Sequence, residues 1–164
     1  MNLDTLISSN AVITNQAIKS KKRALEIIAE QLAVEADKAN PDSEQDINPL
    51  TIFHLLTNRE KLGSTSMGHG VALPHIRTNL TEHAVGAFLK LQEGIDFDSP
   101  DKQPTDLIFS LMVPEHYTDE HLKILASLAG LFSDESFCAK LRDSTNADDI
   151  YEHLTHWQMA SKAS

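Results

Sequence analysis

Cysteine is almost missing from this sequence: Cys138 stands alone among 164 residues, which excludes an internal disulfide. It sits beside Phe137 and Ala139 and three positions before Leu141, a helical apolar pattern that assigns it a small buried hydrophobe's role rather than a redox one. Cations are scarce as well. Lys and Arg number 14 against 24 Asp and Glu, a formal net charge of -10. The chain therefore lacks the clustered positive charge that nucleic-acid phosphates or anionic lipid would demand, and no nucleic-acid partner is expected. No apolar run approaches the roughly 20 residues that span a bilayer, and the opening Met1-Asn-Leu-Asp-Thr-Leu6 has neither part of a secretion signal. A cytoplasmic location without membrane insertion is expected.

Several signatures of chemistry are absent too. Gly63 and Gly68 have P-loop spacing, but His69 and Gly70 stand where the motif needs Lys and Ser or Thr. Gly68-x-Gly70 is followed by Leu73 where a dinucleotide fingerprint needs its third glycine, and no Gly-x-Ser-x-Gly elbow occurs. Eight histidines invite a metal reading, yet no His-Glu-x-x-His or Cys-rich spacing appears. His153 and His156 share one helix face and read as surface residues. No metal and no cofactor is expected.

What is present reads as one domain. With 164 residues and 41% hydrophobic content, the chain can bury one real core. Ser8 to Thr14 looks like a turn and a short strand. From the N-cap Ser20, apolar Ala24, Leu25, Ile28 and Leu32 recur at helical spacing, with Lys21, Lys22, Arg23 and Glu30 on a solvated face. Asn40 to Asp46 is a breaker-rich loop, and Pro49 opens a second helix that ends near Gly63.

Ala84–Leu91 and Asp106–Val113 are strands by composition, and the second, a nearly continuous apolar run, predicts a central strand covered on both faces. Thr118 opens a long amphipathic helix, and shorter helices follow from Asp134 and Ala147 to about Met159. These elements predict an α/β single-domain sandwich with a mixed β-sheet flanked by helices, over residues 1–160, and a frayed tail at 161–164.

The stretch that organises the rest is Gly63-Ser-Thr-Ser-Met-Gly-His-Gly-Val-Ala-Leu-Pro-His75. Val71-Ala-Leu73 reads as a short buried strand that Pro74 ends, leaving His75 at a strand terminus, with a turn at Asn79 to follow. A lone histidine there is often only a solvated loop residue. A neutral imidazole, however, has a free lone pair, a pKa near cellular pH, and a second nitrogen whose hydrogen bond fixes which one attacks. If the electrophile is phosphoryl, the site needs cations and N–H donors more than covalent machinery. Arg59 offers a directional guanidinium. His121 falls in the first turn of a helix, where the dipole favours an anion. Ser64 and Thr65 are weaker candidates as hydroxyl or backbone donors to phosphate.

Glu60-Lys-Leu-Gly-Ser-Thr and Met67-Gly-His-Gly-Val-Ala-Leu-Pro-His75 resemble the phosphorylation-site signature of fructose/mannitol-type enzyme IIA domains of the bacterial phosphotransferase system. The likeness continues through Lys21–Ile28, Leu56–Lys61, Phe97–Asp106, Leu111–Pro114 and His121-Leu122. Within that family the chain is most similar to nitrogen-regulatory members. The resemblance implies a mannitol-type enzyme IIA fold, a phosphotransferase activity in which His75 accepts the phosphoryl group, and flanking Arg59 and His121 that stabilise it. It implies an HPr-like phosphocarrier protein as donor and regulated targets such as potassium-transport components or sensor kinases, with no metal or cofactor. Two residues depart from the family pattern: bulky Ile76, expected to narrow access to His75, and His69, expected to place a titratable group beside it. The resemblance leaves two other roles open, a sugar-specific relay to a IIB domain and a regulatory binding module that is not phosphorylated. The lack of fused IIB and IIC segments counts against the first, and the joint presence of Arg59, His75 and His121 against the second.

Overall fold

The computed structural model of the chain describes residues 3–163. Two short 3-10 turns, Leu3–Thr5 and Ser9–Ala11, lead into β1 (Val12–Gln16), and helices α1 (Lys21–Ala39) and α2 (Pro49–Lys61) follow. Then come β2 (Ser66–Gly68), β3 (Val71–Ala72), β4 (His75–Thr78), β5 (Val85–Ile95) and β6 (Thr105–Pro114). Helices α3 (Asp119–Phe132), α4 (Glu135–Asp143) and α5 (Ala147–Ala163) close the chain. Of the expected span 1–160 and tail 161–164, residues 1, 2 and 164 lie outside the described residues, and α5 carries on past 160.

Helix starts follow local chemistry. The Ser20 hydroxyl accepts from the Arg23 N–H at 3.1 Å, Asn48 from Leu50 at 2.9 Å, and Asp134 from Phe137 at 3.1 Å. Each satisfies a donor that the first turn would otherwise leave without a partner. Thr118 makes no such side-chain bond, so α3 begins with only Asp119 and Glu120 to complement its positive end.

The strands form one mixed sheet in the order β1-β5-β6-β3-β2, with β4 also paired to β6. β1 runs parallel to β5, β5 antiparallel to β6, and both β3 and β4 parallel to β6. β6 is central, as its apolar run predicts. Residues 85–91 and 107–114 are buried without a break. Because neighbouring side chains on a strand point to opposite faces, both faces must be covered, and helices cover them. α1 packs on α2 and β5, α5 on β1, and α3 on α4. The result is a single α/β sandwich.

Aromatic rings tie the layers together. Phe88 of β5 faces Phe109 of β6 with centroids 6.3 Å apart, Phe132 of α3 stacks on Phe88 at 6.0 Å, and Phe137 of α4 meets Phe132 edge-on at 5.9 Å. Lys90, buried within β5, donates to the carbonyls of Arg142 and Ser144 at 2.6 Å each, so its charge closes the C-terminal end of α4.

Pro74 does not end the pairing, and the expected turn at Asn79 comes only after β4 has run from His75 to Thr78. Val71 faces Leu107 and His75 faces Leu111, so the register on β6 carries across the proline unshifted. Proline removes a donor but keeps its acceptor. The Pro74 carbonyl takes the Leu111 N–H at 3.0 Å and the Ser110 hydroxyl at 2.9 Å, and the strand resumes at once as β4.

Candidate functional site

Helix α2, strand β4 and helix α3 each send a side chain into one open cavity of about 330 Å³: Arg59, His75 and His121, between Leu55 and Leu62. The anchoring of Pro74 by Ser110 and Leu111 fixes where His75 begins β4. Its ring Nδ1 lies 2.7 Å from the Leu73 carbonyl. A carbonyl can only accept, so Nδ1 carries the hydrogen and Nε2 of the neutral ring keeps its lone pair.

Burial pushes the His75 pKa below its ordinary 6.5. The bond to Leu73 opposes this, the Arg59 charge adds to it, and Glu60 opposes it. The His121 pKa is also lowered from 6.5, by burial first and then by His75 and Arg77. Both imidazoles are therefore neutral at pH 7. The two rings meet edge to face, centroids 5.5 Å apart at 72°. His121 is the third residue of α3, and its Nε2 is buried with no hydrogen-bond partner among the described residues.

The depressed values have a sign that can be measured. Below about pH 6.5 the unfolded chain takes up protons that these folded rings resist, so both rings cost stability as pH falls, down to their folded pKa values. An NMR titration of the imidazoles is expected to place both midpoints below 6.5; a His75 midpoint above 6.5 contradicts the stated environment.

Arg59 donates from Nη1 to the Gly63 carbonyl at 2.8 Å, which holds the guanidinium over the glycine turn with further donors to spare. Ser64 and Thr65 belong to that turn's frame. The Ser64 hydroxyl donates to the Phe97 carbonyl at 2.7 Å, and Thr65 donates from Oγ1 and N to the Glu60 carboxylate at 2.5 and 3.2 Å. Lys21 completes that carboxylate at 3.0 Å. Neither Ser64 nor Thr65 lines the cavity of His75.

The two residues that depart from the family pattern are placed differently. Ile76 is 6% exposed and packs into the core, and it also borders the cavity together with its neighbours His75 and Arg77. His69 is not beside His75. It occupies the turn between β2 and β3 at φ 55°, with its N–H on Asp101 at 2.8 Å and its carbonyl on Arg142 at 2.9 Å. The Ser99 hydroxyl first, and the N–H groups of His69 and Gln103, pull the Asp101 carboxyl down to about 2. A second cavity of about 510 Å³ lies here, lined by His69, Cys138 and Arg142, but Arg142 is already forked onto Asp106 at 2.9 to 3.2 Å. Cys138 is buried, and its thiol pKa is raised by burial.

Sequence reasoning missed Arg77. It lines the same cavity as His75, two residues along β4. The signal was available as strand alternation, which puts i and i+2 on one face. It was hidden because the residues between Pro74 and the turn at Asn79 do not read as a strand from sequence.

Fold and cavity together define a class: an α/β sandwich that presents a histidine with a free Nε2, beside a second histidine and two arginines. The chain matches the family model described as "Phosphoenolpyruvate-dependent sugar phosphotransferase system, EIIA 2" over residues 5–157. It belongs to this EIIA type 2 family of the phosphotransferase system, in its nitrogen-regulatory branch. It is 38% identical over 154 residues to a nitrogen regulatory protein of Bradyrhizobium diazoefficiens, covering 94% of this chain and 95% of that one. The crystal structure of nitrogen regulatory protein IIA-Ntr from Neisseria meningitidis matches with a TM-score of 0.82 at 37% identity, over 92% of this chain and 97% of that one. The mannitol IIA of Escherichia coli shares the fold, with a TM-score of 0.70 at 22% identity over 90% and 97% of the two chains. Among the described residues no helix is long and apolar enough to cross a membrane, and no group of three or more His, Cys, Asp or Glu is placed to hold a metal ion.

Proposed function

We propose that this chain is a cytoplasmic phosphohistidine carrier of a nitrogen-regulatory phosphotransferase system. His75 takes a phosphoryl group from a phosphohistidine on an HPr-like protein, and the chain binds or releases its target proteins according to that modification. Such targets are proteins of the kind that move potassium or sense signals as kinases. The observation that carries this reading is the Nδ1 bond of His75 to the Leu73 carbonyl, which leaves Nε2 as the nucleophile in an open cavity.

The Nε2 lone pair forms a bond to phosphorus while the P–N bond to the donor imidazole breaks, and that imidazole leaves with the electron pair. Such transfer depends on position and on charge stabilisation more than on covalent aid. Arg59 brings a cation, and a phosphoryl oxygen would supply the partner that His121 Nε2 lacks. Transfer between two histidines links similar P–N bonds, so the step runs in either direction.

Incubation with phosphoenolpyruvate, enzyme I and an HPr-like carrier from the same cell tests this. Intact-mass measurement is expected to show a gain of one phosphoryl group that is lost on acid treatment, as a phosphohistidine is. No gain from any such carrier overturns the carrier reading and leaves the regulatory binding module.

A further inference from the structure

We propose that Arg77 is a further phosphoryl-binding residue of this site, and that in binding the group it lets go of the connection between β6 and α3. The proposal rests on the carrier reading above and adds how the modified state differs in shape from the bare one.

Arg77 follows His75 by two residues on β4, so the two side chains share a face, about 6.6 Å apart at the backbone. The side chains of Ile76 and Thr78, both buried, alternate toward the other face, though Ile76 still borders the cavity. Arg77 and His75 line the same cavity, and Arg77's charge is felt at the ring of His121 across it. A guanidinium on the same strand face as a nucleophilic nitrogen, and near the second ring, stands where negative charge arrives.

With His75 bare, Arg77 is engaged elsewhere. Its Nη1 donates to the Tyr117 carbonyl at 3.2 Å, an exposed bond to a neutral acceptor. A phosphoryl group offers a fork of charged oxygens, and hydrogen bonds between charged partners are roughly twice as strong as neutral ones. The guanidinium is therefore expected to exchange Tyr117 for phosphate. Arg59 cannot produce the same effect, because it is tied to the Gly63 carbonyl in the turn after α2.

The loss matters because of what Tyr117 belongs to. Residues 115–118 join β6 to α3, held by the bond of Glu115 N–H to the Thr78 carbonyl and by the turn bond of Tyr117 N–H to the Pro114 carbonyl, both 3.1 Å. Thr118 adds no side-chain cap to α3. The segment carries the ring pair His116–Tyr117, centroids 5.0 Å apart, and leads directly to His121 and to Leu122, which is 67% exposed. A partner that reads this surface would meet a looser one after phosphorylation.

The test compares wild type, Arg77→Gln and Arg77→Lys, with and without phosphorylation through the HPr-like carrier. Backbone hydrogen exchange of residues 115–122 and the lifetime of the phosphohistidine are measured. In wild type, phosphorylation is expected to speed exchange in this segment several-fold. Arg77→Gln should exchange fast already, show no further change on phosphorylation, and lose its phosphoryl group several-fold sooner. Arg77→Lys, which keeps the charge but not the fork, should recover part of that lifetime. Equal lifetimes in wild type and Arg77→Gln, or the same phosphorylation-linked change in exchange in both, overturn the proposal while the carrier reading stands. If wild type takes up no phosphoryl group, the carrier reading falls and this proposal falls with it.

Discussion

Replacing His75 with alanine is expected to abolish phosphoryl acceptance and leave the protein folded. The loss should be complete because, among the described residues, the cavity's other ring, His121, has no backbone bond like the one from Leu73 that prepares His75 to attack. The structural cost is small, since the ring is only half-buried and makes one hydrogen bond to the chain. Such a bond is worth about 0.5–1.5 kcal/mol net, which for a chain of this size is about 1–6 °C in melting temperature. Intact mass after incubation with the phosphoryl donor, beside a thermal melt, checks both halves. Phosphate retained on the variant would show that another group accepts it.

Phe109→Ala should have the opposite profile, costing stability rather than chemistry. Phe109 is fully buried on the central strand and contacts both Phe88 and Phe132, the latter at 5.9 Å. Its ring lies over Gly86, where a Cβ would stand 3.0 Å from Phe109 Cε1, so the position beneath has no side chain to move into the void. Truncating a buried phenylalanine costs about 3–5 kcal/mol, and whole domains have only about 5–15 to lose. A melting temperature lowered by about 6–20 °C is expected. Phosphoryl acceptance should survive at low temperature, because Ser110, whose hydroxyl anchors Pro74, points to the other face of β6. A thermal melt together with a cold phosphorylation assay measures both. An unchanged melt would mean the core closes over the gap, and loss of acceptance in folded protein would mean that Phe109 positions the site.

The two predictions separate what the sequence shows from what it conceals. Ser20 caps α1 where its residue type says it should, since a cap bond spans only two or three positions. The apolar run of β6 announces a central strand because only burial on both faces tolerates it. Pro74 misleads for the complementary reason. Its missing N–H is visible locally, but the donors from Ser110 and Leu111 that hold its carbonyl come from a strand far along the chain. With β4 unseen, Arg77 could not be placed on the face of His75, nor Ile76 in the core. His69 sits near His75 in sequence, yet extended chain between them carries it to the turn held by Asp101 and Arg142.

By itself, then, the amino-acid sequence determined the helices and their starts, the buried strands, the family, and the candidates Arg59, His75 and His121, because periodicity, capping and motif are properties of neighbouring residues. Only the tertiary structure decided that those three meet in one cavity and that Arg77 joins them. It also decided that Ser64 and Thr65 brace a turn instead, and which nitrogen of His75 is free. Those outcomes depend on contacts between segments tens of residues apart, whose geometry exists only once the sheet and its helices have closed.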